Sequence, residues 1–189
     1  MPLASIIDPG VYFAMNSPAA IIDTSLDYLK ILPSTPDLVG AEIELNEIRN
    51  REFALQAVVE QVGAHFDYVL IDGEAGIEQI NRRVMKEVDD LIILSDTSVK
   101  GITVARAISK VARENRAVDC RTIGLVLNRV RGKEEVRRIS GDIDLDMYGW
   151  IPEDDSIREF DLQGRPLVSL PRESPANRVV ERLASMFAD

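Results

Sequence analysis

The sequence predicts an α/β fold, with a mostly parallel sheet flanked by helices, within a single domain over residues 1–189. Three observations support this class. Apolar runs of strand length alternate with segments of helical periodicity. Some of these runs are continuously apolar, a pattern typical of strands that are covered on both faces. Turn or polar residues follow the runs, and helices between such strands imply right-handed crossovers that keep the strands parallel.

Six apolar runs predict the strands of this sheet. They are residues 29–32, 68–71, 91–94, 123–127, 148–151 and 167–170. The run at 91–94 is continuously apolar, and the run at 123–127 is apolar except for Gly124. We therefore expect these two strands to be buried on both faces.

Four apolar stripes at helical spacing predict helices. They are Leu55/Val58/Val59/Val62, Ile77/Ile80/Val84/Val88, Val104/Ala107/Ile108/Val111 and Ala176/Val179/Val180/Leu183. Ser174 and Pro175 precede the last stripe, and a serine cap with proline at the first helical position is a typical helix start. Each of the first three stripes lies between two predicted strands, as a crossover helix requires.

Composition restricts the functions that the chain can have. A formal net charge of −10 disfavours broad contact with nucleic acid or anionic membranes, because both need a basic surface. No apolar run approaches the roughly 18 residues of a membrane-spanning helix, and the N-terminus lacks the basic-then-apolar pattern of a signal peptide. The one cysteine, Cys120, cannot form an internal disulfide, so we expect a cytoplasmic protein.

No group of residues has the spacing of a protein metal cage. His65 is the one histidine and Cys120 the one cysteine, so a Cys/His cluster cannot form. Asp142, Asp144 and Asp146 alternate with apolar residues, but the glycine and the terminal glutamate of a calcium loop are absent. We interpret these three acids as solvated side chains.

The strongest chemical signal is an acidic residue at the end of the strand at 68–71. Asp72 follows this apolar run, and the small-residue turn Gly73-Glu74-Ala75-Gly76 follows Asp72. In nucleotide-hydrolysing α/β proteins such an aspartate holds Mg²⁺ beside the phosphates. The usual companion motif, G-x-x-x-x-G-K-[ST], occurs nowhere. The one Gly-Lys pair, Gly132-Lys133, has no glycine-rich turn before it.

Parallel strands bind ligands at their carboxyl ends, which would collect several polar segments at one edge of the sheet. These segments are residues 72–76, 95–97, 128–129 and 152–154. We expect Asp72, Asn128 and Pro152 to lie on one rim. Loops are commonly polar, so this convergence alone does not distinguish a ligand site from ordinary turns.

Several motifs, in order along the chain, resemble the ParA/MinD group of deviant P-loop ATPases. Residues 32–34, 38–45 and 51–52 resemble the stretch before the magnesium-site strand of the chromosome-partitioning branch, and residues 67–72 resemble that strand. Residues 72–78 and 96–102 are closer to the accessory ATPases that mature carbon monoxide dehydrogenase. The remaining similar segments are residues 127–130, 149–155, 164–168 and 174–176.

The resemblance implies a nucleotide switch that binds ATP and Mg²⁺, dimerises on ATP and hydrolyses it. By this resemblance Asp72 holds the water shell of Mg²⁺, and Gly76 gives the switch loop its backbone freedom. An asparagine of the family faces adenine, and a later proline segment frames the base. The matching residues here are Asn128, Arg129, Pro152, Glu153 and Asp154.

The chain departs from this family at its beginning. The family starts with a strand, the phosphate loop, a helix and a second strand that ends in Asp-x-Asp-Pro. Here residues 5–8 match the short helix after that second strand, or residues 8–10 form a degenerate Asp-Pro turn. Under either alternative the first strand and the loop are missing. The maturation ATPases also carry a Cys-x-Cys metal pair, whereas Cys120 stands alone.

The missing strand predicts a gap in the sheet between the strands at 68–71 and 91–94. Unpaired backbone groups in such a gap cost about 1–3 kcal/mol each when they are buried. The sheet must therefore close directly, recruit residues 3–8 or borrow a strand. We expect a homodimer, or a complex with a partner ATPase or a client protein.

The sequence leaves two functions open. The first is an ATP-binding switch domain with little activity on its own, because the loop that supplies the phosphate cradle and its lysine is absent. The alternative is a non-catalytic binding or regulatory module that pairs with an intact ATPase or a client. Membrane targeting is disfavoured, because residues 181–189 form a short end in which acids compensate the basic residue.

Overall fold

The computed structural model describes residues 3–7, 21–33, 63, 65–73, 88–114, 118 and 120–188. The chain divides into two compact units, Met1–Glu87 and Val88–Asp189, which are described separately below. The predicted helical stripes around residues 55–62 and 77–88 lie outside the described residues, apart from Val88. The single-domain assignment for residues 1–189 stays a prediction.

The first unit contains a four-stranded sheet. Its strands are β1 (Leu3–Ile7), β2 (Ile22–Asp23), β3 (Leu29–Leu32) and β4 (Tyr68–Asp72), in the order β2-β3-β1-β4. β1 pairs in parallel with both β3 and β4, and β2 pairs antiparallel with β3. The predicted strands at 29–32 and 68–71 are confirmed.

β1 corrects the expectation that residues 5–8 form a short helix, since residues 3–7 are extended. Both edges of β1 are hydrogen-bonded, one to β3 and the other to β4, and this pairing satisfies backbone groups that a free segment would leave open. Residues 3–7 therefore join the sheet on the β3 side of β4. Both strands that β1 pairs with belong to the first unit. The alternative turn at residues 8–10 lies outside the described residues.

The second unit contains a parallel three-stranded sheet and its helices. The strands are β5 (Asp90–Ser95), β6 (Thr122–Val130) and β7 (Asp146–Pro152), in that order. The helices are α1 (Val99–Glu114), α2 (Lys133–Ser140), α3 (Asp155–Leu162) and α4 (Pro175–Ala184). The α/β class and the three predicted strands in this unit are confirmed.

The core of the second unit is centred on β6, as its apolar run predicts. Leu125 and Leu127 are both 0% exposed, and the residues between and before them, Val126 and Gly124, are also buried. The expectation that the strand at 91–94 is covered on both faces is wrong for β5. Ile92 is 43% exposed and Leu94 60% exposed, while the alternate residues pack against α1.

α1 is a helix at the predicted place, but its buried face differs from the predicted stripe. The buried residues are Ile102, Ala105, Ser109 and Ala112, whereas Val104 is exposed. Three of these four side chains are small, which lets the helix backbone approach β5 closely. The sequence stripe was chosen by apolar size, so it missed a face that is defined by small residues.

The predicted strand at 167–170 is wrong, because Leu167–Ser169 form a 3₁₀ helix. The amides of Ser169 and Leu170 bond to the carbonyls of Pro166 and Leu167, the i to i+3 pattern of that helix. Pro166 and Pro171 flank the segment and have no N–H to give to a strand ladder. The segment is therefore too short to pair as a strand.

Two irregularities interrupt the ladder between β6 and β7. The register pairs are Leu125–Met147, Val126–Gly149, Leu127–Trp150 and Val130–Pro152. Tyr148 is thus an extra residue in β7, and the pair Asn128-Arg129 contains an extra residue in β6. Each irregularity shifts the register by one residue, and the second reverses the shift made by the first.

The extra residue of β7 organises the amino-terminal side of this sheet. The Tyr148 hydroxyl donates to Thr122 Oγ1 at 2.6 Å, and Thr122 Oγ1 donates to Asp90 Oδ1 at 2.7 Å. The Tyr148 ring lies over Gly124 and meets the edge of Phe187, with ring centroids 5.4 Å apart. One aromatic residue thus joins three strands to the C-terminal segment.

None of the described helices is long and apolar enough to cross a membrane.

Candidate functional site

The carboxyl ends of β5, β6 and β7 form one rim of the second unit. Asp96 follows β5, Asn128 and Arg129 lie near the end of β6, and Glu153 follows β7. Ser95 is in register with Leu127, which places Asp96 level with the Asn128-Arg129 irregularity. These parallel strand ends bring together acidic, basic and amide side chains, as the sequence predicts for this unit.

Arg129 has the one positive φ among the described non-glycine residues, at +57°. This left-handed conformation is disfavoured for side chains with a Cβ and occurs here inside the β6 irregularity. The Arg129 N–H donates to Oδ1 of Asn128 at 2.9 Å. The Asn128 side chain is therefore tied to the backbone of the next residue while it remains half-buried at the rim.

Asp96 is held by the turn that begins α1. Its Oδ1 accepts hydrogen bonds from the hydroxyl and the N–H of Ser98, the latter at 3.0 Å. The Ser98 hydroxyl bond is the main cause of a pKa below the ordinary value, followed by the Ser98 N–H, and the positive charge of Arg129 adds a smaller effect. Gly101 lies so close that an added Cβ would meet the Asp96 carboxylate. The rim thus carries a fixed negative charge.

Arg131 and Glu153 link the ends of β6 and β7. Arg131 Nε donates to Glu153 Oε2 at 2.9 Å, and the Glu153 N–H donates to the carbonyl of Val130 at 3.0 Å. The Arg131 N–H donates to Glu135 in the first turn of α2 at 3.1 Å. Sequence analysis did not select Arg131, because its partner is 22 residues away and no local pattern signals the pair.

Asp154 has a structural position at the rim. Its Oδ1 accepts from the N–H of Ser156 at 2.9 Å and caps α3. Its Oδ2 accepts from the hydroxyl of Ser174 and from the N–H of Ala176 at 3.1 Å, both at the start of α4. Partial burial is the largest single influence and opposes ionisation, but these hydrogen bonds together lower the pKa of Asp154. Both carboxylate oxygens are therefore engaged in joining two helix starts.

Asp72 is the last residue of β4 and its side chain is exposed. It is in register with Ile7 of β1. Asp72 belongs to the first unit, so its place on one rim with Asn128 and Pro152 stays a prediction. Gly76 lies outside the described residues. Among the described residues, no three His, Cys, Asp or Glu side chains group as metal ligands.

Residues 9–119 match the family AAA_31, described as an AAA domain. An uncharacterised ATP-binding protein of Methanocaldococcus jannaschii is 32% identical over 132 residues, which are 69% of this chain and 52% of that protein. The chain thus spans about half the length of this curated relative.

Solved structures resemble the fold. The septum site-determining protein MinD of Pyrococcus horikoshii, complexed with Mg-ADP, has a TM-score of 0.72 at 19% identity, covering 99% of this chain and 83% of that chain. MinD in the MinC:MinD complex of Aquifex aeolicus has a TM-score of 0.69 at 19% identity, with 99% and 83% covered. These two likenesses establish a MinD-like α/β fold.

Proposed function

This chain belongs to the ParA/MinD-type family of AAA domains, and from this premise we propose that it is a nucleotide-switch ATP-binding domain with little ATPase activity on its own. The observation that carries the proposal is the rim of the second unit, where the Asn128 amide is fixed at the carboxyl end of β6. An amide offers a donor and an acceptor side by side, which is the pair needed to bind adenine.

The proposed site divides into a base side and a phosphate side. On the base side, Asn128 pairs with adenine while Arg129, Pro152 and Glu153 border the base. The hydrogen bonds of Asp154 suggest a supporting role, in which it holds the starts of α3 and α4 beneath this border. The bound nucleotide would supply the phosphoryl group that makes the switch.

On the phosphate side, Asp72 would hold the water shell of Mg²⁺ and Gly76 would give the switch loop its freedom. The residues present fit this side poorly. The sequence contains no G-x-x-x-x-G-K-[ST] motif to supply an N–H cradle and a lysine. At the described rim, Arg131 is already paired with Glu153. We therefore propose that phosphate contacts contribute little to binding by this chain alone.

A calorimetric titration of the chain with ATP and Mg²⁺ tests this function. We expect a dissociation constant no better than millimolar and no measurable hydrolysis, because the phosphates normally supply much of the affinity. The Asn128→Ala variant should lose even this weak binding. A micromolar constant, about −8 kcal/mol, would show that another cradle replaces the absent loop.

A second candidate is a non-catalytic module that pairs with an intact ATPase, a client or a second copy. The exposed apolar side chains of the edge strand β5, Ile92 and Leu94, favour it. MinD of Aquifex aeolicus forms a complex with MinC, so assembly occurs in the family. The likeness of residues 72–78 and 96–102 to carbon monoxide dehydrogenase maturation ATPases suggests a metalloenzyme client. The single Cys120 excludes a Cys-x-Cys metal pair within this sequence.

Light scattering of the purified chain tests the assembly. We expect a dimer or a larger species, because one edge of β5 has no partner strand among the described residues and its exposed face is apolar, which offers a template for another chain. The double variant Ile92→Lys/Leu94→Lys should shift the sample towards monomer. Val104→Lys is the control, because Val104 is also an exposed apolar residue but lies on α1 and not on β5. A well-folded wild-type monomer at high concentration would refute this candidate.

A further inference from the structure

We propose that the middle of β7 has two registers against β6, and that two latch residues, Leu183 and Phe187, hold it in the register described above. The end pairs of the ladder share one sequence offset, and the central pairs have an offset that is one residue larger. The end pairs are Leu125–Met147 and Val130–Pro152, and the central pairs are Val126–Gly149 and Leu127–Trp150. If the central segment slid by one residue, every pair would have the offset of the ends and the ladder would need no irregularity. This regular ladder is the second register, and it does not depend on nucleotide binding.

Backbone strain at Arg129 favours the regular register. In the described register the extra residue of β6 lies within Asn128-Arg129, and Arg129 has a φ of +57°. The residues of a regular parallel strand have negative φ, so the slide would remove this left-handed conformation. Such a conformation persists in a residue with a Cβ only when the surroundings over-determine it. Contacts elsewhere must therefore stabilise the described register.

The latch residues make such contacts. Leu183 of α4 packs on Gly149, where an added Cβ would lie 2.9 Å from Leu183 Cδ2. In the regular register Tyr148 would take the place of Gly149 opposite Val126, and its side chain would meet Leu183. Phe187 meets the Tyr148 ring at its present position, with ring centroids 5.4 Å apart. Leu183 thus blocks the slide, and Phe187 stabilises Tyr148 as the extra residue of β7.

The position of β7 in the sheet makes the slide feasible. The strand order is β5-β6-β7, so β7 is paired with β6 alone among the described strands. The slide therefore breaks ladder hydrogen bonds along only one side of β7, and the end pairs stay in place. It would turn the Trp150 side chain to the opposite face, because Trp150 would move from Leu127 to Asn128. Loosening the latch residues would thus change the backbone at Asn128-Arg129 on the rim, and a contact at the rim would act on the latch residues in return.

NMR of the whole chain distinguishes the two registers. An NOE between Trp150 and Leu127 marks the described register, and one between Trp150 and Asn128 marks the regular register. Arg129→Val and Arg129→Gly are matched variants, because both remove the guanidinium but only glycine accepts positive φ freely. We expect the ratio of regular to described register to be about tenfold higher in Arg129→Val than in Arg129→Gly, the size of a left-handed penalty. Saturation-transfer exchange at the amides of residues 148–151 measures this ratio.

Leu183→Ala tests the latch without changing Arg129. It opens space over Gly149, so the population of the regular register should rise several-fold above that of wild type. Val180→Ala is the control, because Val180 lies on the same helix but is 47% exposed.

Two results would overturn the inference. One is an equal register ratio in the two Arg129 variants. The other is the absence of the Trp150–Asn128 NOE and of exchange at residues 148–151 in Leu183→Ala. If Arg129→Val does not fold, Leu183→Ala decides alone, because it leaves the β6 backbone unchanged.

Discussion

Replacing Asp154 with alanine should lower the free energy of unfolding by about 3 kcal/mol, because one carboxylate is bonded to the starts of two helices. The change removes the α3 cap at the Ser156 N–H and the bonds from Ser174 and Ala176 at the start of α4. Ser174 is buried, so its hydroxyl loses an acceptor away from water. Urea denaturation followed by circular dichroism measures the difference.

The pH dependence of this difference provides a second check. The pKa of Asp154 is lowered in the folded chain, so folding favours its ionised form. This stabilising contribution is fully present above the pKa of an unfolded aspartate, about 3.9. It is lost as the pH falls through the lower pKa that Asp154 has in the folded chain. The stability gap between wild type and Asp154→Ala should therefore narrow below about pH 4.

Asp155 is the matched control, since it is the neighbouring exposed aspartate in the first turn of α3. Asp155→Ala removes the same charge and should change stability by less than about 1 kcal/mol, the size of a helix-end charge effect. Equal losses in the two variants would show that Asp154 acts by charge near the helix end and not by its hydrogen bonds.

Replacing Gly124 with alanine should destabilise the chain by about 2 kcal/mol, because a Cβ at this position would fall on the Tyr148 ring. Moving the ring disrupts its 2.6 Å bond to Thr122 and its edge contact with Phe187. Thermal unfolding measures the loss. Gly141→Ala is the control, because the nearest atom to its Cβ is a carbonyl oxygen at ordinary contact distance, 3.8 Å, and its φ of −75° suits alanine.

A double-mutant cycle identifies the cause of the Gly124 effect. In a Tyr148→Ala background the ring is absent. Adding Gly124→Ala to that variant should therefore lower the free energy of unfolding by less than about 0.5 kcal/mol. An undiminished cost in that background would mean that the methyl group collides elsewhere or that glycine is needed for another reason.

The sequence predicted those parts of the fold whose signals are local. Ser174 caps α4 through the Asn177 N–H and Pro175 is its first residue, as the cap pattern indicated. The runs at 91–94, 123–127 and 148–151 became β5, β6 and β7 because strand-length apolar segments have few alternatives. Residues 167–170 have a similar apolar content, but the flanking prolines leave no room for a paired strand. Apolar content alone therefore did not determine that element.

The strand-end positions of the candidate residues were predictable, whereas their roles stay predictions. Asn128 and Arg129 were placed at a strand end by the order of elements, and they lie there. The left-handed Arg129 had no sequence signal, because arginine gives no preference for positive φ. The resemblance assigned Asp154 to the border of the adenine base. In the structure its Oδ2 accepts hydrogen bonds from Ser174 and Ala176, which are 20 and 22 residues away along the chain. Such contacts depend on how α3 and α4 converge, which no short motif records.

The two irregularities of the β6–β7 ladder have a consequence for the evolution of this unit. Tyr148 is the unpaired residue of the first irregularity, so its deletion can leave the pairs Leu125–Met147 and Val126–Gly149 in place. The same holds for the loss of one residue within Asn128-Arg129. Length changes in relatives should therefore be accommodated at these two points, and an alignment of these strands should place its gaps there.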